Sequence, residues 1–164
     1  MAPRLYTQVH CLRDNQVLLM KRLREPNMSL WVAPGGPIAS HESPNEAAVR
    51  SLQQDTGLHP EAVQLRGVVT LEMPRSPLPS VHFLYVVSQF TGRLKTDNNN
   101  GILHWWPVDE TWQLPMPQAN ACYLPHILSQ SGGLYQARYT YDADAYLVAV
   151  TLQQDDPIPA GIRL

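Results

Sequence analysis

The stretch from Gly35 to Leu58 leaves this chain less conformational choice than any other. It begins with Pro34-Gly35-Gly36-Pro37, a run of helix and strand breakers that is expected to form a loop. Ser43-Pro44-Asn45-Glu46 follows and has the form of a capping box. In such a box the Ser43 hydroxyl accepts from the Glu46 N–H, the Glu46 carboxylate accepts from the Ser43 N–H, and Pro44 suits the first helical position. Ala47, Ala48 and Leu52 then lie on one helical stripe, and Gly57 offers the left-handed residue that stops a helix. The spacing predicts a helix from Pro44 to Asp55.

Elsewhere the patterning is that of strands. Arg4 to Leu12 alternates, Asp14-Asn15 is a turn signal, and Val17 to Met20 continues as a second strand, so the two should form a hairpin. Trp31-Val32, Val63 to Met73, Val81 to Phe90 and Leu103 to Trp106 read as further strands, with Trp105 and Trp106 expected to divide between core and surface. Ala119 to Leu128 reads as a second helix. Leu134 to Tyr141 and Ala145 to Leu152 read as a closing hairpin turning at Asp142-Ala143-Asp144. Strands on both sides of a central helix predict an α/β (α+β) sandwich with a mixed β-sheet between helices. With no internal repeat and no linker, residues 1–152 are expected to form a single domain and 153–164 a C-terminal tail.

Composition narrows the function classes. The 164 residues carry 12 Lys+Arg against 14 Asp+Glu, a formal charge of −2, which argues against a basic groove for a nucleic-acid polymer. No apolar run approaches the roughly 20 residues that span a bilayer, and Met1 to Tyr6 lacks the apolar core of a secretory leader, so a soluble, cytoplasmic protein is expected. Cys11 and Cys122 are too few for a disulfide framework and are expected to be buried, reduced thiols.

The helix and the loop before it resemble the box of the Nudix family, MutT-like members in particular. That pattern is a glycine, five residues, a glutamate, seven residues, Arg-Glu, an aliphatic residue, any residue, Glu-Glu, any residue, glycine and an aliphatic residue. Gly36, Glu42, Arg50, Leu52, Gly57 and Leu58 fall on their places. The resemblance extends over most of the chain, through the Arg4 to Thr7 strand, Trp31 before the glycine pair, Val81-His82 and the closing hairpin. It implies a Nudix fold and a hydrolase that cleaves the diphosphate linkage of a nucleoside triphosphate or another nucleoside diphosphate derivative. It also implies Mg²⁺ or Mn²⁺, held by Glu42, Asp55, Gln54 and the carbonyl of Gly36. Positions 51, 54 and 55 share one helical face, where three carboxylates would make a hard-oxygen site for Mg²⁺.

That face here reads Ser51, Gln54, Asp55, one carboxylate in place of three. The loss of a general base alone typically costs about 10² to 10⁴ in rate, so an impaired site is expected. Catalytic roles fall to Glu42 and Asp55, with Arg50 orienting its neighbours. Glu46, beyond its capping role, can pair with Arg50. Ser51 and Gln54 are expected to be solvated. Asn100 lies where relatives place a late acidic residue.

Substrate contacts implied by the resemblance are Thr7, Lys21, Arg22, Val32, Leu71, Met73, Met116 and Gln118. They depart from the purine-sanitising pattern. Val32 stands for an asparagine, Gln118 and Ala119 for paired aspartates, and Pro37 for a residue that is commonly lysine. Six histidines show no short ligand spacing; only His41, beside Glu42, is placed to act near neutral pH. The alternative is an inactive Nudix-derived module that binds a nucleotide or a protein. The hairpin and Asp156 to Pro159 could also join two copies as a homodimer.

Overall fold

The computed structural model of the protein describes residue 2 and residues 4–95, 98–129 and 133–153. In chain order the elements are β1 (Arg4–Arg13), β2 (Gln16–Arg22), β3 (Trp31–Val32), β4 (Gly35–Pro37), α1 (Pro44–Thr56), β5 (Leu58–Pro60), β6 (Gln64–Glu72), β7 (Ser80–Val87), β8 (Phe90–Gly92) and β9 (Gly101–Pro107). A 3₁₀ turn (Val108–Gln113), α2 (Gln118–Leu128), β10 (Tyr135–Tyr141) and β11 (Leu147–Gln153) complete them. Nine strands join in the order β11-β10-β6-β7-β1-β2-β3, with β4 also on β1 and β9 also on β2.

β1 organises this sheet by changing partners along its length. It runs parallel to β7 from Arg4 to Cys11, takes β4 on its other edge at Tyr6 to Gln8, and meets β2 at Leu12 and Arg13. The reversal into β2 is made by Asp14 and Asn15, both at positive φ (51° and 60°), the mirror-image turn that suits the twist of a hairpin.

The two helices cover opposite faces, as the alternation of β7 requires. Tyr85 and Val87 face α1 with Val9, Cys11, Leu18, Ala48 and Leu52, whereas Leu84 and Val86, which alternate with them, face α2 with Val69, Ala119, Tyr123, Ile127 and Tyr139. This is the predicted mixed α+β sandwich. Leu52 has no exposed surface, and burying a leucine contributes roughly 2 kcal/mol.

Several expectations are corrected. Gly35 to Pro37 is a strand and not a loop, because the absent side chain at Gly35 lets its backbone lie against that of Thr7 and Gln8. The strand predicted over Val81 to Phe90 ends at Val87, and Phe90 begins β8, which pairs with β5 in a separate ribbon. Trp105 and Trp106 do not divide between core and surface: both are half-buried, Trp105 stacked on Phe90 at 5.9 Å and Trp106 edge-on to Trp31 at 5.2 Å. Cys11 is buried and its thiol is pushed up to about 12 by desolvation, but Cys122 is exposed on the outer side of α2. Among the described residues no helix is long and apolar enough to cross a membrane. The segment Asp156 to Pro159, invoked for a homodimer, lies outside the described residues.

Candidate functional site

The helix α1 is held at both ends as its sequence requires. Ser43 Oγ accepts from Glu46 N–H at 3.1 Å, Glu46 Oε2 accepts from Ser43 N–H at 2.8 Å, and Gly57 closes the helix at φ 79°. These anchors set the rotation of the 51/54/55 face against β4. Gly35 N–H then donates to Asp55 Oδ2 at 3.2 Å, which ties the glycine strand to the last turn of the helix.

Glu42 and Asp55 are not brought together as a pair of free carboxylates. Glu42 is closed off: Arg50 Nε donates to Oε1 at 2.6 Å, Arg50 Nη2 donates to Oε2 at 2.8 Å, and Ala39 N–H donates to Oε2 at 2.8 Å. These bonds, Arg50's foremost, bring the Glu42 carboxyl down to about 2. Arg50 also donates to Gln54 Oε1 at 3.2 Å and to the Pro37 carbonyl at 3.1 Å. Its carboxylate partner is Glu42 and not Glu46, whose carboxylate is turned back into the cap.

Asp55 is half-buried, and desolvation raises its pKa against the pull of the Gly35 N–H and of Arg22, Lys95 and Arg50. Ser51 contradicts expectation. It is only 3% exposed, and its Oγ has no hydrogen-bond partner. It faces the glycine strand, 3.8 Å from where a Cβ on Gly36 would lie. Gln54 is exposed, as expected. The Gly36 carbonyl accepts from Thr7 Oγ at 3.5 Å.

This donor set does not fit a resident divalent cation. Mg²⁺ needs several oxygens in near-octahedral array, with carboxylates to balance its charge. Here Glu42 is already neutralised by a guanidinium, Ser51 and Gln54 are uncharged, and Asp55 stands alone. Among the described residues no three His, Cys, Asp or Glu side chains are grouped so as to hold a metal ion.

Two residues that the sequence did not single out complete the site. Lys95 Nζ donates to the Gln54 carbonyl at 2.7 Å, and Asn98 Nδ2 donates to the Asp55 carbonyl at 2.6 Å, so the segment after β8 caps the C-terminal end of α1. Asn98 reaches the helix end, whereas Asn100 is exposed, accepts from Leu23 N–H through its carbonyl and donates its own N–H to Asn98 Oδ1 at 2.8 Å. Neither had a sequence signal, because the contact joins residues about forty apart through an irregular loop.

The expected substrate residues are dispersed. Val32 and Met116 line one small pocket with Trp31, His10, Asn120 and Tyr123, with about 10 Å³ of space, room for about one water. Two of its lining residues, Tyr123 through Oη and Asn120 through Nδ2, donate to Oε1 of the half-buried Gln8, a contact unread in the sequence. Leu71 packs on the α2 core, and Met73 is exposed beside a separate cavity of about 310 Å³ with Arg75 and Asp142. Gln118 Oε1 accepts from Leu147 N–H at 2.6 Å and so anchors the last hairpin. Thr7 is buried, and Lys21 and Arg22 are half-buried on β2. Arg22 Nε donates to the Pro26 carbonyl at 2.7 Å. His41 is exposed in a left-handed turn at φ 64°.

The sequence model of the NUDIX domain matches residues 4–127. An uncharacterized Nudix hydrolase, YvcI of Bacillus subtilis (strain 168), is 29% identical over 142 residues, 85% of this chain and 87% of that protein. An ADP-ribose pyrophosphatase of Methanocaldococcus jannaschii is 32% identical over 89 residues, 53% of this chain and 52% of that protein. The crystal structure of a MutT protein from Bacillus halodurans superposes with a TM-score of 0.82 at 25% identity, covering 94% of this chain and 99% of that one.

Proposed function

The chain belongs to the Nudix family, and from that premise we propose that it binds a nucleoside diphosphate derivative at the glycine strand and α1, and that its hydrolysis of the diphosphate linkage is impaired. The observation that carries this reading is the closure of Glu42 by Arg50 and the Ala39 N–H, which leaves Asp55 as the lone carboxylate of the box face outside an ion pair. Asp55 accepts the Gly35 N–H through one oxygen and is the residue able to take a proton from water there. Arg50 holds Glu42, Gln54 and the Pro37 carbonyl in fixed positions around that point. The match to an ADP-ribose pyrophosphatase supports the nucleoside diphosphate class of ligand. A divalent cation would supply charge neutralisation in a full box, and no step is assigned to one here.

The second reading, a binding module without turnover, is favoured by Ser51, which is sealed beneath Gly36 where a full box would present a carboxylate. One panel separates the two. Nucleoside triphosphates, dinucleotides, nucleotide sugars and ADP-ribose are incubated with Mg²⁺ or Mn²⁺ and the wild-type chain or Asp55→Ala. Slow monophosphate or pyrophosphate release that disappears in the variant supports impaired hydrolysis. Ligand-induced thermal shifts without release support the module, and neither response on any compound would refute both.

A further inference from the structure

The box face differs from its pattern in charge as well as in ligands. Two carboxylates, Glu42 and Asp55, share the site with three cations, Arg22, Arg50 and Lys95, all three of which act on Asp55 electrostatically. The site is therefore one charge positive. Carboxylates at positions 51 and 54 would make it one charge negative, and a divalent cation would bring that version back to the same single positive charge. Replacement by Ser51 and Gln54 has thus changed the local charge by as much as a bound Mg²⁺ would.

The geometry places donors where that charge can be used. Arg50 spends four of its five N–H groups on Glu42, Gln54 and Pro37, leaving one on Nη1. Lys95 spends one donor on the Gln54 carbonyl, and Arg22 uses Nε on its own loop, which leaves both with further N–H groups.

Resting on the reading that this chain binds a nucleoside diphosphate derivative, we infer that it does so without a divalent cation, with Arg22, Arg50 and Lys95 taking the diphosphate oxygens directly. Charge-assisted N–H bonds to phosphate are the strong class of hydrogen bond and need no ion to mediate them.

The test is calorimetric titration of the full chain with ADP and with inorganic pyrophosphate, once in EDTA and once in saturating MgCl₂, with Mn²⁺ binding to the ligand-free chain followed by electron paramagnetic resonance. The expected result is a dissociation constant equal within about twofold in the two buffers and a Mn²⁺ signal unchanged by protein. Lys95→Ala and Arg22→Ala should each weaken binding about fivefold in both buffers, the upper range for an exposed charge contact. Gln54→Glu, at an exposed position that folding tolerates, should weaken binding in EDTA and recover it in MgCl₂. Binding in MgCl₂ alone, or tight Mn²⁺ uptake by the free chain, overturns the inference and leaves the ligand class standing. Absence of binding in both buffers overturns the two together.

Discussion

Arg50 grips both oxygens of Glu42, Nε to Oε1 at 2.6 Å and Nη2 to Oε2 at 2.8 Å, across the turn that leads into α1. The carboxyl titrates at about 2 in the folded chain, below its ordinary 4.5. A depressed carboxylate adds stability that is complete above its unfolded value and is lost as pH falls through its folded one. Glu42→Gln should therefore be less stable than wild type at pH 6, with the gap closing between about pH 4.5 and pH 2. Urea midpoints of both proteins across that range check it; a gap independent of pH would contradict the pairing.

Adjacent glycines should respond oppositely to alanine. A Cβ on Gly35 would lie 2.1 Å from the Thr7 carbonyl oxygen, a backbone atom that cannot move without parting β4 from β1. Gly35→Ala is expected to cost about 3 kcal/mol or more. At Gly36 the nearest atom is Ser51 Oγ at 3.8 Å, ordinary contact, so Gly36→Ala should stay within about 0.5 kcal/mol of wild type. Equilibrium denaturation of the two variants measures the difference.

Ser51 presents a buried hydroxyl with no partner. Such a group carries a desolvation cost with no bond to offset it, so Ser51→Ala is expected to be neutral or to stabilise by up to about 1 kcal/mol. In a chain of this size that is a rise in Tm of about 2 to 4 °C. A fall of that size would mean that the hydroxyl is bonded in solution.

His10 and His82 should make the fold acid-sensitive. Burial lowers both to about 4, from 6.5, and His10 stays neutral with Nδ1 3.0 Å from the Tyr85 carbonyl. Between pH 6.5 and 4 the unfolded chain binds protons that the native one refuses, so stability is complete above 6.5 and falls as pH drops toward 4. For fully buried His10 the loss is about 3 kcal/mol. Denaturation midpoints measured from pH 7 to pH 4 should show this slope, and His10→Gln should flatten it.

What the sequence disclosed and what it withheld divide along physical lines. Capping, chain reversal and stripe periodicity are local, and so the two caps of α1, at Ser43 and Gly57, and the Asp14-Asn15 turn are readable from the sequence. The fate of Ser51 was not, because helical spacing locates a side chain on a face and says nothing of how closely Gly35 and Gly36 let β4 approach that face. The pairing of Arg50 was misread for the same reason. Glu46 and Glu42 both lie within its reach, and only the folded loop, with Ala39 N–H turned toward Glu42, decides between them. Lys95 and Asn98 approach the helix end from an irregular segment with no periodicity to read.

The divided allegiance of β1 also sets a timetable for synthesis. Arg4 pairs with Ser80 and Cys11 with Val87, so β1 is completed by a strand that follows 76 residues later. At roughly 5 to 20 residues per second, the ribosome keeps β1 waiting about 4 to 15 s for β7. In that interval the edge of β1 that β7 will take is open, and the strand is held through its other edge by β2, at Leu12 with Val17 and Arg13 with Gln16, and by β4 at Tyr6 to Gln8. The nascent chain is most open to mispairing then, and β6, which emerges before β7 and becomes β7's antiparallel neighbour, is the strand in a position to occupy β1 too early.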